Sequence, residues 1–219
     1  MTYSLSSNPG NLFAIDETTG VVTLAGTLNR ETAPSHTIEV TATSADGSTA
    51  AQTFTINVLD VNDTAPVFTN ANAANENENT TAVLTLATTD ADTTGTNPAT
   101  LSITGGADAG LFTITGGNQL VFNSAPNFEA PVGGDHSYEV TVSASDGVNT
   151  TEQTITVTVQ NVNEAPVSAA DLTVSSNENV ADTESLATAS ATDVDTGTTL
   201  TYSITGGNVA GLFEINSTT

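Results

Sequence analysis

The chain has 219 residues, room for one large domain or two ordinary ones with real hydrophobic cores. One Lys or Arg (Arg30) stands against 25 Asp and Glu, a formal charge of −24, which excludes nucleic acid and anionic membrane surfaces as partners and makes cations the natural ones. There is no cysteine to supply disulfides or thiolate ligands, and no apolar run nears the ~18 to 20 residues of a membrane span.

Along the chain the elements read as strands. Tyr3-Ser4-Leu5 and Leu12-Phe13-Ala14-Ile15 come first, followed by Thr37-Ile38-Glu39-Val40-Thr41-Ala42 and Thr53-Phe54-Thr55-Ile56-Asn57-Val58, which alternate apolar with polar residues at period two. The same elements return about 100 residues later. Leu101-Ser102-Ile103 and Leu111-Phe112-Thr113-Ile114 are followed by Ser137-Tyr138-Glu139-Val140-Thr141-Val142 and Thr154-Ile155-Thr156-Val157-Thr158-Val159. A third round opens with Tyr202-Ser203-Ile204 and Leu212-Phe213-Glu214-Ile215. Turn landmarks keep the step too: Ala45-Asp46-Gly47 against Ser145-Asp146-Gly147, Asp60-Val61-Asn62-Asp63 against Asn161-Val162-Asn163-Glu164, and Ala65-Pro66-Val67 against Ala165-Pro166-Val167. Short strands spaced by Gly, Asn, Asp and Pro clusters, without helical periodicity, predict an all-β antiparallel sandwich repeated in tandem. The period predicts one complete unit, residues 64–163, flanked by two partial ones, 1–63 lacking opening strands and 164–219 lacking closing strands. Strands offered by the last segment match those missing from the first, so copies of the chain are expected to be able to pair head to tail.

The acidic residues gather around the repeat boundaries. The run Asp60-Val61-Asn62-Asp63-Thr64-Ala65-Pro66-Val67-Phe68 resembles the linker of cadherin repeats, an Asp-x-Asn-Asp-x-Ala-Pro-x-Phe pattern. Thr89-Asp90-Ala91-Asp92 resembles that family's Asp-x-Asp motif. Asn29-Arg30-Glu31 and Asn127-Phe128-Glu129 resemble its Asp-Arg-Glu or Asp-Phe-Glu motif, and Asn77-Glu78-Asn79 and Asn177-Glu178-Asn179 its Pro-Glu-Asn motif, all in family order. The texture is closer to bacterial cadherin-like tandem repeats than to vertebrate ones. The resemblance implies Greek-key, immunoglobulin-like sandwiches with calcium at their junctions. At the first junction it implies ligation by Glu31, Asp60, Asn62, Asp63, Asp90, Asp92 and Asp146, with the backbone carbonyl of Val61; at the second by Glu78, Glu129, Asn161, Asn163, Glu164, Asp193 and Asp195. Asn29 stands where the family usually has Asp, so the first site is expected to be short of ligands; Asn127, Asn161 and Glu164 depart likewise, and fewer or weaker ions are expected at the second junction.

Calcium takes six to eight hard oxygen ligands, which requires clustered Asp, Glu and Asn on loops. Two carboxylates about 4 Å apart repel by roughly 4 kcal/mol at an effective dielectric of about 20, and a divalent cation reverses the sign. A lone Asp beside a Gly is ordinarily a turn residue capping its own backbone; four acidic motifs recurring in one order need more than turn chemistry. His36 and His136 read as solvated strand ends, Phe13, Phe112 and Phe213 as core, and the Gly pairs at 105–106, 116–117 and 206–207 as turns.

These features point to a calcium-binding adhesion or extender module, extracellular or at a cell surface, because modules of this kind bind calcium with dissociation constants on the order of 10⁻⁴ to 10⁻³ M. Other copies of the chain, other surface proteins or a polysaccharide are the expected partners, and this segment is expected to bind no nucleic acid and to insert into no membrane. The alternative is a spacer or carbohydrate-binding module in a secreted polysaccharide-degrading protein, against which the core-like setting of the aromatics counts. Catalysis is not expected, since neither histidine adjoins a nucleophile elbow and no carboxylate lies in a recognisable apolar pocket.

Overall fold

Strands of period two pair with their sequence neighbours wherever a turn-forming cluster lets the chain reverse. The computed structural model describes residues 1–218, and among these the helical elements are short 3₁₀ turns. The N-terminal part contains β1 (Thr2–Ser7), β2 (Phe13–Ile15), β3 (Val22–Leu24), β4 (Ser35–Thr43) and β5 (Thr49–Asn57). They form a sheet in the order β1-β4-β5 and a separate β2-β3 hairpin, with Phe13, Ile38 and Val40 buried between them.

The middle part supplies β6 (Val67–Phe68), β7 (Ala73–Asn77), β8 (Ala82–Thr85), β9 (Thr88–Thr89), β10 (Thr100–Gly105), β11 (Phe112–Thr115), β12 (Gln119–Phe122), β13 (Ser137–Ser145) and β14 (Thr150–Gln160). One sheet runs β10-β13-β14-β7 and the other β11-β12-β8, and they close on one core of Leu86, Phe112, Leu120, Phe122, Tyr138, Val140, Val142, Ile155, Val157 and Val159. The alternation read from the sequence is what fills it, since Ile155, Val157 and Val159 point inward along β14 while the residues between them face water. Each such side chain gains roughly 1.5–3 kcal/mol on burial. Phe122 bridges the sheets, tilted against Phe112 at 4.5 Å between ring centroids and edge-on to Tyr138 at 5.5 Å. The same bulge interrupts β1 opposite β4, between Leu5 and Ser7, and β10 opposite β13, between Ile103 and Gly105, so the repeat extends to an irregularity of pairing. At the second bulge Gly106 takes φ +102° with backbone of Glu139 and Val140 where a Cβ would lie, 2.5 Å away.

β7 departs from the antiparallel pattern, running parallel to β14 from Ala73 opposite Thr156 to Asn77 opposite Gln160. It brings Glu78 to the end of the sandwich where the chain leaves β14.

The remainder holds β15 (Val167–Ser168) and β16 (Ala191–Thr192), which pair with each other. Two sequence expectations change here and at the histidines. Phe213 is 51% exposed where Phe13 and Phe112 are 5% and 4%, because no strand after Thr192 among the described residues covers it. The histidines are not free strand ends: His136 stacks on Phe128 at 3.7 Å between centroids and His36 packs edge-on against Phe13 at 5.9 Å, apolar faces that a half-buried imidazole covers better than water does. No helix of the described residues is long and apolar enough to cross a membrane.

Candidate metal centres

The small β6-β9 ladder, Val67 opposite Thr89, lays the linker against the Asp90–Asp92 turn. There Asp92 donates its N–H to Asp90 Oδ1 at 2.9 Å, a local turn bond, and its own Oδ2 accepts the N–H of Thr64 at 2.8 Å. Asp60 is held from the next residue: its Oδ2 accepts the Thr93 N–H at 2.6 Å and, still more closely, the Thr93 hydroxyl. On the N-terminal side the Asn29 side chain accepts the Thr32 N–H at 2.6 Å and fixes the turn that carries Glu31. The result is that Glu31, Asp60 and Asp92 offer carboxylate oxygens that all lie within 4.8 Å of one another. Glu31 Oε1, Asp60 Oδ1 and Asp92 Oδ1 are buried and have no hydrogen-bond partner among the described residues. Asp60 and Asp92 thus share one arrangement, one oxygen tied to an N–H and the other left free in the cluster. The hydroxyl of Thr93 foremost, then its N–H, holds the Asp60 carboxyl below the ordinary aspartate range.

A second cluster forms at the far end of the middle sandwich. Glu78 is buried, 1% exposed, and both its oxygens are used: Oε2 accepts the Phe128 N–H at 2.8 Å and Oε1 the Val162 N–H at 2.9 Å. Glu129 sits in a turn fixed by Asn127, whose side chain accepts the Ala130 N–H at 2.7 Å, as Asn29 does for Thr32. Glu164 completes the group, its Oε1 accepting from the Asn79 amide at 2.5 Å. Carboxylate oxygens of Glu78, Glu129 and Glu164 lie within 4.8 Å of one another, and Glu129 Oε2 and Glu164 Oε2 are buried without partners. Desolvation pushes the Glu164 carboxyl above its ordinary value; the Asn79 amide opposes this, and the charges of Glu78, Glu129 and Asp195 add to it.

The other residues singled out from sequence are placed around these clusters. Asp146 lies beside the first: its Oδ1 caps the turn to Val148 and Asn149 at 2.7 and 2.6 Å. Burial raises its pKa, but the bonds from Asn149 and Val148 outweigh it and hold the group low. The Asn62 amide, with its nitrogen toward the acids, donates to Asp146 Oδ2 at 2.8 Å and Asp92 Oδ2 at 3.2 Å. Asp63 is exposed and contacts its neighbour Thr64 through the hydroxyl, and the Val61 carbonyl accepts the Asp63 N–H at 3.0 Å. Asp193 Oδ1 accepts the Asp195 N–H at 3.0 Å, and Asp195 Oδ2 accepts the Glu164 N–H at 2.8 Å, repeating the Asp90–Asp92–Thr64 chain of bonds. Asn163 bonds the carbonyl of Glu164 through its side chain, and Asn161 is exposed.

That repetition resets an alignment. The sequence sets Glu164 beside Asp63, but its backbone N–H makes the bond that Thr64 makes. The second linker has one residue fewer between Asn163 and Pro166 than the first has between Asn62 and Pro66. Glu164 therefore starts from Thr64's place, and its longer side chain still reaches the cluster. Sequence reading missed the residues that hold the clustered acids: Thr93, Asn79, Asn149, whose amide donates to Asp146 Oδ2 at 3.2 Å, and Gly95, where a Cβ would collide with the Asn62 amide. Only the shortened linker left a readable trace.

Chemically, both clusters are all-oxygen and strongly anionic. That donor set suits a hard cation such as calcium or magnesium and does not suit the softer metals that seek thiolate or imidazole.

A family model described as the cadherin domain matches residues 1–59 and again 71–160. Mouse Protocadherin Fat 4 is 31% identical over 228 aligned positions, covering 98% of this chain and 4% of that protein. Mouse Protocadherin-15 is 32% identical, covering 99% of this chain and 11% of its own length. The chain thus spans a small part of the curated relatives it matches. Among solved structures, human Protocadherin-24 EC1-2 superposes with a TM-score of 0.57 at 23% identity, covering 74% of this chain and 82% of the other, a likeness of fold.

Proposed function

This chain belongs to the cadherin domain family, and from that premise we propose that it is a calcium-stiffened module of a larger adhesion-type extracellular protein. In this reading residues 1–63, 64–163 and 164–219 are successive repeats, the middle one complete. Glu31, Asp60, Asp92 and Asp146 would hold calcium at the first boundary, with Asn62, Asp63, Asp90 and the Val61 carbonyl nearby. At the second boundary Glu78, Glu129 and Glu164 would hold it, with Asp193, Asp195, Asn161 and Asn163 nearby. One observation carries the proposal: five buried carboxylate oxygens from the two clusters lack any hydrogen-bond donor among the described residues. A buried charge left unpaired is costly, and a hard divalent cation is the partner these oxygens accept.

Bound calcium supplies two positive charges, which turn the mutual repulsion of the cluster into attraction. The residues of this chain do the rest. Glu31 comes from the N-terminal part, Asp60 from the linker and Asp92 from the middle sandwich, so holding one ion fixes three segments relative to one another. Adhesion modules gain reach from such stiffness, and extracellular calcium in the millimolar range would load sites that cytosolic levels leave empty.

Titration calorimetry with calcium and small-angle scattering with calcium and with chelator test the reading. Binding at dissociation constants on the order of 10⁻⁴ to 10⁻³ M with a longer, less variable particle is the expected result. No heat at millimolar calcium, or scattering that does not change, overturns it.

A further inference from the structure

The two clusters draw their linker acid from different places. Glu31 and Glu129 are counterparts in the repeat, and each shares its cluster with one carboxylate from the linker that follows. At the first boundary that carboxylate is Asp60. Its counterpart at the second is Asn161, which is exposed and carries no charge, and the carboxylate found beside Glu129 comes instead from Glu164, three residues further along.

Both linker acids are presented in the same way. Asp60 has Oδ2 tied by Thr93 and Oδ1 buried; Glu164 has Oε1 tied by the Asn79 amide at 2.5 Å and Oε2 buried, and neither buried oxygen meets a donor among the described residues. The arms differ. The Glu164 N–H is anchored after the linker, on Asp195 Oδ2 at 2.8 Å, while its side chain turns back to the middle sandwich. A glutamate arm has much rotamer freedom to lose, and a fixed partner is needed to select the rotamer that reaches Glu129. Asn79 is such a partner. It follows Glu78, whose two oxygens are bonded to backbone, and its own N–H donates to the Pro126 carbonyl at 3.0 Å. The Thr80 hydroxyl closes the same turn on the Asn77 carbonyl at 2.8 Å. The φ of Asn79, 63°, recurs at Asn179, so this conformation belongs to the turn of the repeat and is not imposed by the bond to Glu164.

We propose that Asn79 is the positioning residue that lets Glu164 take over, at the second boundary, the part that Asp60 plays at the first. Its amide fixes the glutamate arm so that Oε2 is delivered to the cluster, which makes good the acid that Asn161 lacks. That the cluster takes calcium rests on the function proposed above; the clamp between Asn79 and Glu164 does not. The repeat also shows what makes Asn79 dispensable. Thr196 follows Asp195 as Thr93 follows Asp92, so the residue type that ties Asp60 is already in place for an acid at position 161.

Calcium titration calorimetry on the whole chain, with Asn79→Gly, Asn161→Asp and the two combined, tests the proposal. Glycine keeps the left-handed turn and removes only the amide. Alone it is expected to weaken the second class of sites about tenfold, as loss of a group that orients a ligand does, and to leave the first class unchanged. In the Asn161→Asp background the same change is expected to cost nothing measurable, a non-additivity that a merely structural role for Asn79 does not produce. NMR in chelator reads the clamp with no metal present. One proton of the Asn79 side-chain amide should lie downfield and exchange slowly, and Glu164→Ala should abolish both features. Calcium that binds nowhere sinks the function proposed above, and the spectrum in chelator then decides the clamp by itself. An Asn79 amide that is the same with and without the Glu164 carboxylate overturns the inference, as does an Asn79→Gly loss that Asn161→Asp leaves undiminished.

Discussion

The two carboxylate clusters are built on one plan and tensioned differently. At the first, Asp60 and Asp92 each have one oxygen tied by donors on the opposite side of the linker, Thr93 and Thr64, and Pro66 is buried beside them. At the second, Glu78 is tied through both oxygens, Glu164 is one residue out of register and held by a single amide, and Pro166 is exposed. Asp60 is held below its ordinary pKa and Glu164 above it. The difference teaches that the balance between hydrogen-bond donors, which dominate at Asp60, and desolvation, which dominates at Glu164, decides whether a clustered acid is poised as an anion.

The sharpest way to separate the clusters is to remove an acid from one. Asp92→Asn leaves a neutral amide where a buried charge stands and is expected to weaken calcium at the first cluster by on the order of a hundredfold, the upper end of what losing a site's supporting groups costs. The second cluster should bind as before, so calorimetry should show one class of sites lost and one kept. Equal weakening of both would show that they are not independent.

Next in size is the buried acid with no free oxygen. Glu78→Gln puts an amide NH₂ against one of the N–H groups of Phe128 and Val162, and an unsatisfied buried donor costs about 1–3 kcal/mol. The middle sandwich should unfold at lower denaturant without calcium, whereas Asp92→Asn should not lower its stability in chelator. If Glu78→Gln changes calcium binding and leaves apo stability alone, the backbone bonds are not what holds this end of the sandwich.

Smaller again is the effect of Thr93→Val, which removes the hydroxyl donor and keeps the shape. About a tenfold loss of calcium affinity at the first cluster is expected, with the Asp60 pKa returning toward its ordinary value, measurable by carboxyl-carbon NMR. An unchanged pKa would assign the hold on Asp60 to the Thr93 backbone alone.

Much of this was legible beforehand, and the reasons differ by element. Alternation in Ser137–Val142 and Thr154–Val159 marked β13 and β14, because a strand with one dry face must repeat every second residue. Phe213 shares its local context with Phe112 but is 51% exposed, because burial depends on strands distant in sequence and not on the motif. The acids of both clusters could be named because the motifs that carry them resemble those of cadherin repeats, and the resemblance implied them. Thr93 and Asn79 could not, since a donor to a carboxylate is chosen by geometry across the boundary, and any Thr or Asn reads equally as a turn residue. The one-residue slip of Glu164 was visible as a shorter linker, but its consequence, a longer side chain standing in from the neighbouring place, needed the Asp195 bond to be seen.

The smallest expected effect tests the comparison most directly, because it asks for opposite signs. Asp60's folded pKa is depressed, so its contribution to stability is present above its unfolded pKa and lost as pH falls through the folded one. Glu164's folded pKa is raised, so its contribution is present below its unfolded pKa and lost as pH rises through the folded one. Raising pH through the carboxylate range should therefore tighten the first boundary of the calcium-free chain and loosen the second. Calcium must displace any proton held at the second cluster, so at the acid end of the carboxylate range binding should release protons, detected as heats that differ between buffers of different ionisation enthalpy. Glu164→Gln should release fewer and Asp92→Asn no fewer than the intact chain. Equal release from all three would mean that crowding among Glu78, Glu129 and Glu164 is relieved without a proton, and that the two clusters differ in geometry alone.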